Sequence, residues 1–307
     1  YMNGIGTPKD LNMAYPMYIK AAEEGNADAQ VKLCEDYFKG NASLPKDYKE
    51  CARWGEAAIT QDKKGVRFMT AYASSDIGKK ERAYALYLEL ADEGYPAAMN
   101  NLGCLEEEQS KALEWFLKAA DMGDEVAQNN VARYYRYGIA TDKDEQKALE
   151  YYIKSANQGY LNAIIVLARL YQNGDCTDKN LEEAIKWYEK AISKGSEESI
   201  LDLASLYIND LDDIEKAIHF YKQAAEKGSE KAILELGEIY ENGFGGEVYT
   251  HKAIFWYRKA AANGNEKAKE SLKRLGANWI VNGKIEDDVD DGDIDTNNIS
   301  ADNRFLF

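Results

Sequence analysis

KAIFWYRKAAANG, residues Lys252 to Gly264, decides how the rest of the chain is read, because nearly the same phrase stands at Lys111 to Gly123 as KALEWFLKAADMG. In the first copy Ala253, Trp256, Tyr257, Ala260 and Ala261 recur at three- and four-residue spacing, which predicts one apolar face of an α-helix ended by glycine. Further copies run from Lys147 to Gly159, Ala184 to Gly195 and Lys216 to Gly228. The glycines that close these helices are Gly25, Gly94, Gly123, Gly159, Gly195, Gly228 and Gly264, the last six spaced 29, 36, 36, 33 and 36 residues apart. Gln61 stands where a glycine between Gly25 and Gly94 is expected, so the chain is an internal repeat of about 36 residues.

Each unit carries a second phrase upstream. Ala163, Leu167, Ala168, Tyr171 and Gly174 form it once, Ala232, Leu236, Gly237, Tyr240 and Gly243 again, and Ala127, Val131, Ala132, Tyr135 and Gly138 a third time. Positions i, i+4, i+5 and i+8 share one side of a helix, so this phrase reads as helix A, stopped by its glycine, and the opening phrase as helix B. The alanines permit close approach of two helices and the aromatics fill the remaining space. A single hairpin of this length cannot bury its own aromatic face, so each copy must cover its neighbour. On this reading Trp115, Trp187 and Trp256 are core residues.

These helix–turn–helix units, with A-x-x-x-L-G-x-x-Y-x-x-G followed by K-A-x-x-W-Y-x-K-A-A-x-x-G, resemble Sel1-like repeats, relatives of the tetratricopeptide repeat. The resemblance covers roughly residues 1 to 276. It implies an all-α, right-handed superhelical solenoid of stacked helix-turn-helix repeats with a C-terminal capping helix and an acidic tail. About eight repeats are expected over residues 1–265, a capping helix over 266–276 and the tail over 277–307. Tyr1-x-x-Gly4 reads as the end of a helix A whose start lies before residue 1, so the first unit is expected to be cut. Between Cys34 and Gly94 the pattern weakens, with Trp54 read in the tyrosine position and Tyr72 one place out of step.

Composition agrees with an all-α chain: only four prolines in 307 residues, 45% hydrophobic and 30% charged. No apolar run approaches the roughly 18 residues of a membrane helix. The formal charge of −16, without a Lys/Arg cluster, argues against nucleic acid and for a basic or neutral partner. Cys34, Cys51, Cys104 and Cys176 form no CxxC pair, and His219 and His251 stand alone, so no metal site or cofactor is expected. Irregular cysteines favour a reducing, cytoplasmic setting, while the sequons at Asn41 and Asn298 point towards a secreted or periplasmic one.

No nucleophile, base or phosphate cradle has supporting spacing. Gly243-Phe244-Gly245-Gly246 follows a helix rather than a strand and reads as an inter-helix loop, and Glu106 to Glu108 reads as solvated charge. The expectation is a non-enzymatic scaffold or adaptor that binds a protein or peptide on a concave helix-A surface. The alternative is a secreted or periplasmic bacterial protein acting in toxin neutralisation or host-receptor binding. Resemblance to peptide-binding tetratricopeptide domains implies that an Asn before the helix-A Leu holds a ligand's backbone amide. Asn101 and Asn130 occupy that place, with Arg133, Tyr134 and Arg169 expected beside them to supply charge-assisted hydrogen bonds and a stacking face. The competing reading is that such Asn residues only join neighbouring helices.

The tail from Ile285 is acidic. Asp287, Asp291, Asp293 and Asp295 partly fit a calcium loop, but Val289 and Asn298 spoil two ligand positions, and the run also reads as solvated and disordered. Its apolar tip, Arg304-Phe-Leu-Phe307, suggests docking on this chain's own groove or on a neighbouring molecule. If the tail competes with a partner for the groove, deleting residues 285–307 should raise partner affinity in a calorimetric titration. Unchanged affinity counts against that reading.

Overall fold

The computed structural model describes residues 11–61, 64–243 and 248–277. The described residues form α-helices and one 3₁₀ turn, with no strand. The helices are α1 (Leu11–Glu23), α2 (Ala27–Lys39), α3 (Tyr48–Ala58), α4 (Lys64–Asp76), α5 (Lys80–Asp92), α6 (Pro96–Leu105), α7 (Gln109–Asp121) and α8 (Glu125–Tyr137). They continue with α9 (Glu145–Gln158), α10 (Leu161–Asn173), α11 (Leu181–Ser193), α12 (Glu197–Asn209), α13 (Ile214–Glu226), α14 (Glu230–Asn242), α15 (Thr250–Ala262) and α16 (Glu266–Arg274). Even-numbered helices up to α14 are A helices and odd-numbered ones B helices. The chain divides into two compact units, residues 1–179 and 180–307. In the first, α1 to α10 pack each on the next in chain order; in the second, α11 to α16 do the same.

Counting from the N-cap residue makes the units comparable. Three residues after the helix-A cap stands a small buried residue, Ala98, Ala127 or Ala163, and seven after it a large one, Leu102, Val131 or Leu167, all at 0% exposure. Eight after the cap come Gly103, Ala132, Ala168, Ala204 and Gly237, where helix B presses closest. In helix B the fourth residue after the cap is Ala112, Ala148, Ala184, Ala217 or Ala253, and the eighth is Phe116, Tyr152, Tyr188, Tyr221 or Tyr257, all buried. A Cβ on Gly103 would stand 2.7 Å from the Phe116 ring and 3.0 Å from the Ala112 carbonyl oxygen. The small residue is therefore the seat of the helix-B ring.

Two backbone devices hold the hairpins. The cap N–H of helix B donates to the carbonyl of the helix-A tyrosine, Asp144 to Tyr135 at 2.9 Å, Asp213 to Tyr207 at 2.8 Å and Tyr249 to Tyr240 at 3.0 Å, although the loops differ in length. After helix B the chain turns through a left-handed glycine such as Gly123 at φ 92°, and the next N–H reaches back, Asp124 to Ala119 at 3.0 Å. Asp124, Asp144 and Asp213 then cap the following helices with their side chains.

The sequence reading needs two corrections here. Of the three tryptophans expected in the core, Trp115 and Trp187 are half-buried and Trp256 is buried. Both half-buried indoles stand seven after the helix-B cap, one residue before the seated rings of Phe116 and Tyr188, with Lys118 at 4.4 Å and Lys190 at 4.5 Å over them. Trp54, counted from its cap Asp47, falls in the tryptophan position, and Gly55 takes the tyrosine position. On the exposed side of α16, Lys267 pairs with Glu238 at 2.6 Å and Arg274 with Glu241 at 2.7 Å, tying α16 to α14.

No helix among the described residues is long and apolar enough to cross a membrane. Tyr1 to Gly4, residues 244–247 and the tail with Asp287, Asp291, Asp293, Asp295 and its apolar tip lie outside the described residues. Gly103→Val should lower stability by about 2 kcal/mol through overpacking against Phe116, measured by urea unfolding. A change within error would show that the ring is not seated there.

Candidate functional site

In the first unit, α4, α5 and α6 enclose a cleft of ≈ 220 Å³ lined by Tyr72, Ser75, Asp76, Tyr87, Asn101, Cys104 and Leu105. Its base is Tyr87, which is 2% exposed and whose phenol is pushed up by burial, with a hydrogen bond to Asn101 opposing. Its rim is the exposed Tyr72, whose ring packs on Phe38 at 5.5 Å and Tyr48 at 5.4 Å. Tyr72 is thus an outward-facing aromatic held by two others, which explains why it stands out of step with the core pattern.

Asn101 lines the cleft and accepts a 3.4 Å hydrogen bond from Asn100 Nδ2. Asn130 on α8 does something else. Its Nδ2 donates to Oδ1 of the buried Asn100 at 2.9 Å, joining α8 to α6. The two asparagines share a repeat position but not a task, and for Asn130 the contact between neighbouring helices is the one observed.

Nine residues after the helix-A caps of α6, α8 and α10 stand Cys104, Arg133 and Arg169. Cys104 and Arg133 are exposed and Arg169 is half-buried. The sulfur of Cys104 is crowded enough that burial pushes its thiol up, with the Arg133 charge pulling the other way, so these two sit within electrostatic reach. The expected stacking face at Tyr134 is corrected: the residue is 3% exposed, its ring meets Phe116 edge-on at 5.5 Å, and its hydroxyl donates to Gln109 at 2.6 Å. On α8, one residue beyond an outward position is already core.

A second cleft of the first unit, ≈ 320 Å³, is lined by Arg136, Tyr137, Lys143, Glu145, Asp175 and Cys176, with Arg136 bonded to Asp175 at 2.9 Å. Among the described residues no three His, Cys, Asp or Glu side chains gather as metal ligands. Two cysteines do meet: Cys34 and Cys51 lie 3.6 Å apart, Sγ to Sγ, both at 0% exposure. Spacing rules for cysteine motifs miss this pair. The repeat register would have found it, because Cys34 is eight after its cap and Cys51 four after its own.

The Sel1 repeat profile matches residues 1–26, 27–63, 96–124, 126–160, 162–196, 202–229 and 230–265, well over half of the chain. The chain belongs to the Sel1 repeat family. Members of this family are generally protein-interaction scaffolds and typically non-catalytic. The unmatched stretch between residues 63 and 96 holds the α4–α5 hairpin and one side of the cleft. Among solved structures, the chain is similar to a Sel1 repeat protein from Oxalobacter formigenes at 25% identity and TM-score 0.59, covering 86% of this chain and 80% of that one. It also matches c5321, a protective antigen present in uropathogenic Escherichia coli strains, at 28% identity and TM-score 0.40, covering 91% and 72%. Human IFIT1, solved as a dimer with PPP-AAAA, shares the fold alone, at 14% identity and TM-score 0.52 over 87% and 68%.

Asn130→Ala should destabilise this Sel1 repeat protein by about 1–2 kcal/mol in urea unfolding, since Asn100 loses the donor to its buried oxygen. Asn101→Ala should change stability much less. Equal losses would show that both asparagines serve only to join helices.

Proposed function

We propose that the chain is a non-enzymatic adaptor that holds an extended segment of a partner protein against the A helices of its first unit, at α4, α6 and α8. The observation that carries this reading is the cleft between Tyr72, Asp76, Asn101 and Leu105, continued towards exposed Arg133 by Cys104. Here an aromatic ring, a side-chain amide and a guanidinium remain on the accessible side of consecutive A helices. Such a set suits a peptide: the amide for a backbone group, Tyr72 and Leu105 for an apolar side chain, and Arg133 for a carboxylate. Arg133 is a local basic position on a chain of net charge −16, so it would select an acidic group on an otherwise neutral or basic segment.

The test is affinity capture from the source lysate with wild type and with an Asn101→Ala/Arg133→Glu variant, followed by titration of the captured protein. The variant should keep its helical circular dichroism and lose at least about tenfold in affinity, the scale of one or two interface hot spots. A Lys267→Glu variant in the second unit should bind like wild type. Undiminished binding by the Asn101/Arg133 variant moves the interface away from this face.

A further inference from the structure

We propose that Cys34 and Cys51 are a disulfide-forming pair that staples α2 to α3 on oxidation, a modification site separate from the binding role above. The argument starts from the repeat. The eighth residue after the helix-A cap is Gly or Ala in the other capped A helices (Gly103, Ala132, Ala168, Ala204, Gly237), and the fourth after the helix-B cap is Ala (Ala83, Ala112, Ala148, Ala184, Ala217, Ala253). These positions face each other, as the approach of Gly103 to Ala112 shows. In the α2–α3 hairpin alone both are cysteine.

A third substitution makes room for the two sulfurs. The ring that seats on the small residue in other hairpins is absent here, because Gly55 replaces it. A Cβ on Gly55 would collide with the Thr70 hydroxyl from α4 and lie 3.1 Å from Cys34 Sγ, so the vacated ring space is shared by Thr70 and the thiols. The sulfurs are 3.6 Å apart, and Cys51 Sγ also points to the Met69 carbonyl at 3.8 Å. A disulfide requires about 2.05 Å, a closure of roughly 1.5 Å that side-chain rotation can supply. In the folded hairpin the contact between the thiols pulls Cys34 down, against burial, and pushes Cys51 up.

The oxidant is a low-molecular-weight disulfide such as oxidised glutathione. Cys34 thiolate attacks one of its sulfurs and expels one glutathione thiolate. Cys51 then loses its proton, attacks Cys34 Sγ and expels the second. Two protein thiols become one disulfide, one glutathione disulfide becomes two thiols, and the protons pass to the thiolates released. Both cysteines are fully buried, so the exchange takes place while the hairpin is folding or open.

The experiment refolds the full chain in a glutathione redox buffer, alkylates the remaining thiols and maps disulfides by mass spectrometry under non-reducing conditions. Cys34–Cys51 should be the dominant cross-link, with Cys104 and Cys176 alkylated. The oxidised protein should melt about 5 °C above the reduced one, reversibly with dithiothreitol. Cys34→Ala and Cys51→Ala restore the residue type that other hairpins carry, so both variants should fold and lose cross-link and shift together. Recovery of Cys34 and Cys51 as alkylated thiols, as glutathione adducts or in other pairings overturns the proposal. So does a melting shift that survives in the alanine variants.

Discussion

Everything in this protein depends on how closely helix A and helix B of a hairpin approach at one point. A small residue on helix A, eight after its cap, lets the helix-B backbone come within contact, as at Gly103 and Ala112. The ring eight after the helix-B cap then lies on that seat, as Phe116, Tyr152, Tyr188 and Tyr257 do. Dense packing of this kind tolerates neither a larger seat nor an empty one. The loop bonds from the helix-B cap to the helix-A tyrosine carbonyl set the hairpin's entry, so loop length can vary without disturbing the seat.

Where the seat is altered, something else takes over the space. In the α2–α3 hairpin Gly55 removes the ring, and Thr70 of α4 moves in beside two cysteines. Around α4 and α6 the outward positions carry Tyr72 and Asn101, and a cleft opens above Tyr87. Side chains freed from packing are the ones available for chemistry or recognition, so departures from the repeat are more informative about function than the repeat itself.

The asparagines show why a repeat position does not settle a role. Asn101 and Asn130 follow the same cap at the same distance, yet one borders the cleft and the other bonds Asn100 across to α6. The difference arises from the neighbour: α6 faces α4 and its aromatic Tyr72, whereas α8 faces α6 and its buried amide. Likewise Arg133 and Tyr134 are adjacent in sequence and opposite in fate, because a helix turns about 100° per residue and the core begins there.

The sequence by itself determined the helices, their pairing into hairpins and the family, because 3.6-residue periodicity and glycine stops are local signals repeated often enough to be unmistakable. It also marked Asn101 and Arg133 as outward positions of helix A. Only the tertiary structure decided that Tyr134 is core, that Trp115 and Trp187 are half-buried beneath lysines, and that Trp54 is one position off the expected register. It alone brought Tyr72 to Asn101 and Asn130 to Asn100. Those meetings depend on which side chain the neighbouring helix presents, and period and spacing within one helix carry no record of that.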